Sequence, residues 1–419
     1  MIKKILLVVL LIITYPLTTI ASSSIGAKVG NEYYDNLSDA IDASKPNETI
    51  KLLSNANLEK GIVLTKNINI DLNGNTITSP TAVFEVQRGH LTLTGKGKIK
   101  ETEPNYGVIR VIGSETPTNE TFSAVSVGED ITLEGWAGIF ISHKNKKSHN
   151  VKVSLKGTIN AVSDTSGGVG IGVYVNGSIQ DKNNPPTIHI LDGAKITSNG
   201  DGLYIGGYSN VIIKKANILG EENGIGIKAG NIEIDGATII CTGKDFTPTE
   251  GYNNGILKSG TTFQIESNTG YAGNIKLDIK DGKFTSKNSN VLYEHIGSGT
   301  KTQVDSIKIS NGTFISEAKK NVFLLSDSFK STHPRFIRGG KYTSNPKEYL
   351  LAGYTSNLEN DYYEVSKTIM KTVFNETSNN SSNKVITVII TLVILIGLIT
   401  LIFKNRNNIM ITIKKWYNK

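Results

Sequence analysis

Hydrolytic or lyase chemistry on this chain would have to come from its carboxylates, and four aspartates, Asp71, Asp192, Asp235 and Asp281, recur at or near glycine turns. A polysaccharide hydrolase needs two carboxyl groups flanking the scissile bond. The strings expected of a polygalacturonase-like hydrolase, an Asp-Asp dipeptide and a Gly-His-Gly, do not occur. A calcium-dependent lyase needs several acids on adjacent strands, with an Arg or Lys base nearby. Beside turn glycines, however, aspartate is a turn former. The arginines between the two ends of the chain are only Arg88, Arg110, Arg335 and Arg338. The histidines His90, His143, His149, His189, His295 and His333 show no His-x-x-x-His spacing. There is no Gly-x-Ser-x-Gly elbow and no phosphate loop. The glycine run from Gly167 to Gly172 lacks the crossover helix that a dinucleotide site requires. No catalytic residue, metal site or cofactor is therefore assigned.

Binding is the better expectation. Glycine-led segments recur at Gly138-Ile139-Phe140-Ile141, Gly170-Ile171-Gly172-Val173, Gly202-Leu203-Tyr204-Ile205 and Gly224-Ile225-Gly226-Ile227. Strict strand alternation turns Ile171, Leu203 and Ile225 inward. Gly172, Tyr204 and Gly226 then form one outward column, and Tyr174, Gly206 and Lys228 the next. Tyr204 is expected in a shallow trough between glycines, with Tyr174 and Tyr208 at its side. Aromatic faces bordered by missing side chains suit sugar rings, and Asp201 and Asn223 suit sugar hydroxyls. The candidate ligand-binding set is Tyr174, Asp201, Tyr204, Tyr208, Asn223 and Lys228. The competing reading is glycine placed only for close packing.

The elements that must carry this face are repeated. An apolar–polar–apolar alternation, a glycine turn and a further apolar residue appear at Asn69 to Ile77, Leu91 to Ile99, Ile188 to Ile196, Ile232 to Ile239, Ile279 to Phe284, Ile309 to Phe314 and Ile337 to Tyr342. Units of strand and turn at irregular spacings of roughly 20 to 45 residues predict an all-β solenoid, a single-stranded parallel β-helix. Each coil holds three strand pieces. Inward Ile, Val and Leu stack one coil apart, and Gly and Asn supply positive φ at turns. The polar stretches Ile112 to Thr121, Ile179 to Pro186 and Thr242 to Asn253 read as extruded loops. A solenoid end needs a cap. Asn36 to Ala43 reads as a short amphipathic helix with Leu37, Ala40 and Ile41 on one face, capped by Asn36 or Ser38. The single cysteine, Cys241, reads as a small buried residue.

The segment Arg338-Gly339-Gly340-Lys341-Tyr342-Thr343-Ser344-Asn345-Pro346-Lys347-Glu348-Tyr349-Leu350-Leu351-Ala352-Gly353-Tyr354 resembles the closing segment of surface β-helix proteins of low-GC Gram-positive bacteria. That pattern reads GG-x-[FY]-S, a spacer, then EYLA-x-GY. Thr343 and Leu351 depart from it, standing where Ser and Ala are usual. Tyr33 to Ile41, Thr49 to Leu53 and Leu72-Asn73-Gly74 are similar to the start of the same proteins. The resemblance covers about Lys28 to Val365. It implies the pectate-lyase-like, right-handed parallel β-helix fold and an adhesin-like role at the cell surface. It brings no catalytic residues.

The ends predict location. Lys3-Lys4, the apolar run Ile5 to Ile13 and Thr19-Ile20-Ala21 have the parts of a secretory signal peptide over 1–21. Residues 22–54 form the N-terminal cap region, 55–366 the β-helix and 367–384 a polar linker. The uncharged run 385–403 has the length of one transmembrane helix, roughly 28 Å at 1.5 Å per residue. Residues 404–419 are a basic tail, which the positive-inside rule keeps in the cytoplasm. The expectation is a single-pass plasma-membrane protein with its bulk outside. The formal charge of +8 does not argue for nucleic acid: two leader lysines and five basic tail residues leave only +1 between them. Three roles remain: a binding or adhesin-like module for polysaccharide, wall polymer or host glycan; a tethered polysaccharide lyase or glycoside hydrolase; and a structural wall component.

Overall fold

The computed structural model describes residues 26–116, 122–165, 168–243, 255 and 257–368. The leader, most of the linker, the apolar run 385–403 and the basic tail lie outside the described residues. No helix among the described residues is long and apolar enough to cross a membrane.

The protein is all-β, built from long parallel sheets that are consistent with a β-helix solenoid. A ten-stranded sheet holds one short strand from each turn of the chain. The other large sheet has 23 strands and supplies two more faces. The first face runs through strands such as Ile68–Asp71, Gly89–Thr94, Ser123–Val127, Val151–Leu155, Thr187–Ile190 and Asn210–Lys214. The second runs through Thr76–Ser79, Gly97–Glu101, Ile131–Glu134, Thr158–Ala161, Lys195–Ser198 and Asn217–Gly220. Ala229–Cys241 and Gly273–Ser286 cross both faces, and their pairing shifts register at the corner, beside Asp235. The ten-stranded sheet is the third face.

Register follows the apolar alternation, because a slip by one would turn every Ile outward. On the first face Ile70 pairs with Leu93, Leu93 with Val127 and Val127 with Leu155. The ladder continues through Ile190, Ile213, Ile234, Ile279 and Ile309. All nine side chains are buried. Each contributes about 1.5–3 kcal/mol by leaving water. Ile213 and Ile234 are 21 residues apart, Ile234 and Ile279 are 45 apart, and both pairs are direct neighbours. Coil length is therefore absorbed by loops, not by the ladder.

The ends are closed differently. Helix α1, Leu37–Ala43, buries Leu37, Ala40 and Ile41 in the same core. Its cap is Asn36, whose Oδ1 accepts from the Asp39 amide at 2.9 Å. At the other end an aromatic stack replaces the aliphatic one. Phe263, Phe284, Phe314 and Tyr342 follow each other at 5.1, 4.9 and 4.9 Å between ring centres. Helix α2, Asp327–Thr332, adds Phe329 beside Phe336. The antiparallel hairpin of Tyr354–Glu359 and Tyr362–Lys367 then pairs with Gly340–Tyr342 and ends the parallel series.

Candidate functional site

The outward surface of the third face differs from the strict-alternation expectation at one point in each of four successive coils. Gly138, Gly172, Gly202 and Gly224 point inward. A Cβ on them would lie 2.5, 2.2, 2.4 and 2.8 Å from the Cγ2 atoms of Ile159, Ile196, Ile218 and Ile239 of the second face. The chain turns a corner at these glycines, so two successive positions point inward and the parity before the corner flips. Ile171 is accordingly not beneath the sheet. It packs with Trp136, Ala137, Tyr174 and Tyr204 in a separate apolar cluster outside the main core. Gly172 does not share a column with Tyr204. Val173 pairs with Leu203, which places Tyr174 directly beside Tyr204, and Tyr204 beside Gly226.

The resulting outward column reads Val63, Glu85, Arg110, Phe140, Tyr174, Tyr204, Gly226, Gln264 and Tyr293. Phe140 meets Tyr174 edge-on at 4.8 Å, and Tyr174 stacks on Tyr204 at 5.2 Å and 24°. The glycines do open space above the sheet, but the protein fills it. The Tyr204 ring lies where a Cβ of Gly206 would go, 2.6 Å from its Cε1, and the Tyr271 ring lies over Gly177 in the same way. Tyr204 is 1% exposed and Tyr174 6%. The open trough expected around Tyr204 is thus closed, because an aromatic ring is itself the best filler for a glycine depression. Burial drives the Tyr174 hydroxyl up to about 12 and the Tyr204 hydroxyl well above its ordinary value, with Tyr271 adding to the second.

Asp201 and Asn223 pair with each other across neighbouring coils and are fully buried. Asn223 Nδ2 donates to Asp201 Oδ1 at 2.7 Å and to the Leu257 carbonyl at 2.8 Å. Its Oδ1 accepts from the amide and the hydroxyl of Ser259 at 3.1 and 2.6 Å. The segment around Leu257 to Thr261 therefore seals the two residues against sugar hydroxyls in this state. Asp201 Oδ2 and Glu222 Oε2 are buried with no partner among the described residues. Burial raises both carboxyls above the usual range, against the opposing effects of Asn223 and Lys258. Lys258 meets Glu222 at 3.1 Å. Lys228 is buried too. Its Nζ lies 2.6 Å from Glu266 Oε2, 4.4 Å from the centre of the Tyr271 ring and 6.0 Å from that of Tyr204. Five of the six candidate residues thus share one sealed layer. Tyr208 stands apart, beyond the Gly206-Gly207 bend, where its ring faces Lys182 at 5.6 Å and its hydroxyl accepts from Asn231 Nδ2 at 3.3 Å.

The same column is open at its other end, and sequence reasoning did not single out the residues there. Phe140 is half-buried and carries the Arg110 guanidinium 5.6 Å from its ring centre. Glu85 meets Arg110 at 3.4 Å, and Arg110 donates to Ser142 Oγ at 3.2 Å. Tyr106, about half exposed, stands on the rim. Its loop is fixed by the buried Glu101 carboxylate, which accepts from the amides of Asn105, Tyr106, Gly107 and Trp136 at 2.6–3.2 Å. Gly107 in that loop approaches so closely that a Cβ would sit 3.0 Å from Phe140 Cβ. The arrangement offers a flat aromatic face, an oriented guanidinium and a carboxylate acceptor. It has no nucleophile–base pair. No group of three or more His, Cys, Asp or Glu among the described residues has metal-holding geometry.

No family model, curated protein or solved structure matches this chain.

Proposed function

We propose that the chain is an exported, single-pass membrane protein whose ectodomain is a right-handed, pectate-lyase-like β-helix with an adhesin-like, non-catalytic role in binding glycans or wall polymers. The signal-like leader, the apolar run 385–403 and the closing segment Arg338 to Tyr354 support the location and the lineage of the fold. The observation that carries the binding reading is the open end of the third-face column. Phe140 supplies a ring for stacking, Arg110 a preorganised donor fork and Glu85 an acceptor, all held before any ligand arrives. Sugars with an acidic or acceptor-rich edge fit this set best. The test is a glycan array of wall polymers and host glycans probed with the full-length chain and with Phe140→Ala and Arg110→Ala. Saturable binding lost in both variants supports the reading. Binding that both variants retain removes it.

A tethered lyase or hydrolase is the second reading. What favours it is the buried Asp201 Oδ2 beside Glu222, without a partner among the described residues, since a carboxyl whose pKa burial raises is suited to general acid work. Shortened or unsaturated products accumulating on the same array would establish it.

A further inference from the structure

The second face carries an independent feature. One outward column there runs through ten coils, from Thr76 to Lys341. It contains no carboxylate. Four of its members are lysines, Lys98, Lys195, Lys283 and Lys341, and the others are threonines apart from Asn217. Lys98, Lys195 and Lys283 stand three coils apart each time. At ~4.8 Å per coil that is about 14 Å between successive ammonium positions. The neighbouring outward column has one acid, Glu134, which is engaged by both Lys98 and Lys100 at 2.7 Å. Those two lysines hold its carboxyl below the usual range. Glu364 of the terminal hairpin meets Lys341 at 3.2 Å. Lys195 and Lys283 are exposed and have no carboxylate partner among the described residues.

The turn acids Asp192, Asp235 and Asp281 border this stripe on one side. Asp192 is answered by Lys215 at 4.0 Å, and Glu129 nearby by Lys156 at 3.1 Å. On the first face, by contrast, acids stand within an outward column, with Glu233, Asp278 and Lys308 in register. The first face has an acid-free column too, but its lysines, Lys152 and Lys276, are four coils apart; among the described residues the second face repeats lysine every three coils between threonines.

From this geometry we infer that the second face binds a linear polymer with regularly spaced monoanions, lying along the solenoid axis. One exposed lysine attracts an anion only weakly. The lysines are also farther apart than the ~8 Å screening length at physiological salt. A monomeric anion therefore gains almost nothing, whereas a polymer engages several lysines at once. The threonine hydroxyls between them are placed to bond the polymer backbone. Polyuronates and polyphosphodiesters share this chemistry.

The experiment measures binding of the full-length chain, in neutral detergent, to polygalacturonate, to poly(glycerol phosphate) and to fully methyl-esterified polygalacturonate of the same length. Binding of one or both charged polymers that weakens with salt, with the esterified polymer not bound, is expected, and which polymers bind names the source. Lys195→Gln/Lys283→Gln should weaken it about five- to tenfold. Lys152→Gln/Lys276→Gln, on the first face, should not. All of these titrations are run in the Phe140→Ala background, which removes the third-face site, so that the binding and its loss on lysine replacement belong to the second face. The proposal is overturned if neither charged polymer binds, if the esterified polymer binds equally, if Lys195→Gln/Lys283→Gln binds like the parent, or if the two lysine pairs lose affinity alike.

Discussion

Two stretches of a single outward column on the third face have opposite fates. From Glu85 to Phe140 the column meets solvent. From Tyr174 to Gly226 it is sealed by Tyr271 and the segment around Leu257 to Thr261. Both stretches have the same strand parity, pairing and sheet. What separates them is chain inserted elsewhere, in the 45-residue coil between Ile234 and Ile279. In a solenoid the ladder decides which residues point outward, and the longer loops decide which of those remain reachable.

The largest expected contrast is between the two aromatics at the ends of the stack. Tyr204→Ala removes a fully buried ring and should cost about 3–5 kcal/mol of unfolding free energy. Phe140→Ala, half-buried, should cost about 1–1.5 kcal/mol, yet abolish glycan binding. Denaturant titration and binding assays on both variants sharpen the contrast. Equal stability losses would break it.

Next in size is the corner. Gly202→Ala places a Cβ 2.4 Å from Ile218 Cγ2 and 2.6 Å from the Gly224 carbonyl oxygen. Overpacking of this kind costs about 1–3 kcal/mol. A calorimetric midpoint equal to that of the parent would mean that the corner is softer than its geometry implies.

The sealed stretch also carries a pH signature. Asp201 has a carboxyl raised by burial, so the folded chain binds more protons than the unfolded chain above the ordinary carboxylate range. Its contribution is complete below the unfolded pKa. It is lost as pH rises toward the folded one, by at most about 1.4 kcal/mol per pH unit. Asp201→Asn keeps an acceptor for Asn223 and should flatten this slope and raise stability at neutral pH. Urea midpoints of the two proteins across pH 4–8 test it, and parallel curves would show that Asp201 titrates normally.

The smallest effect concerns Cys241, buried with its thiol pushed up to about 12. Native protein at pH 8 should resist alkylation that proceeds readily in denaturant. Fast native labelling would mean that the wall beneath Glu222 opens.

Much of the fold was legible because the alternation is strict. The β-rich repeat, the short helix with Leu37, Ala40 and Ile41 on its buried face and the buried Cys241 all follow from period-two or helical spacing, whereas the choice of Asn36 over Ser38 as the helix cap does not. The third-face columns were less legible. Parity is an unbroken rule only along an uninterrupted strand, and Gly172 and Gly202 interrupt theirs by turning into the core against Ile196 and Ile218. A glycine that opens a pocket and one that turns a corner are identical in sequence. The sealing of Tyr204 was hidden for another reason: Tyr271 and Gly255 reach it from 67 and 51 residues away in the chain. Arg110 drew notice only as one of few arginines. Its value at the site comes from Phe140 in the next coil, a neighbour set by coil length.

The most direct measurement is equilibrium binding of an array-selected glycan to the full-length parent, Phe140→Ala and Tyr204→Phe, with the reaction followed for released products. Binding at the open end predicts at least about a tenfold loss for Phe140→Ala. Tyr204→Phe should retain affinity, and no product should form. Retained affinity in Phe140→Ala, or turnover of the glycan, would contradict it.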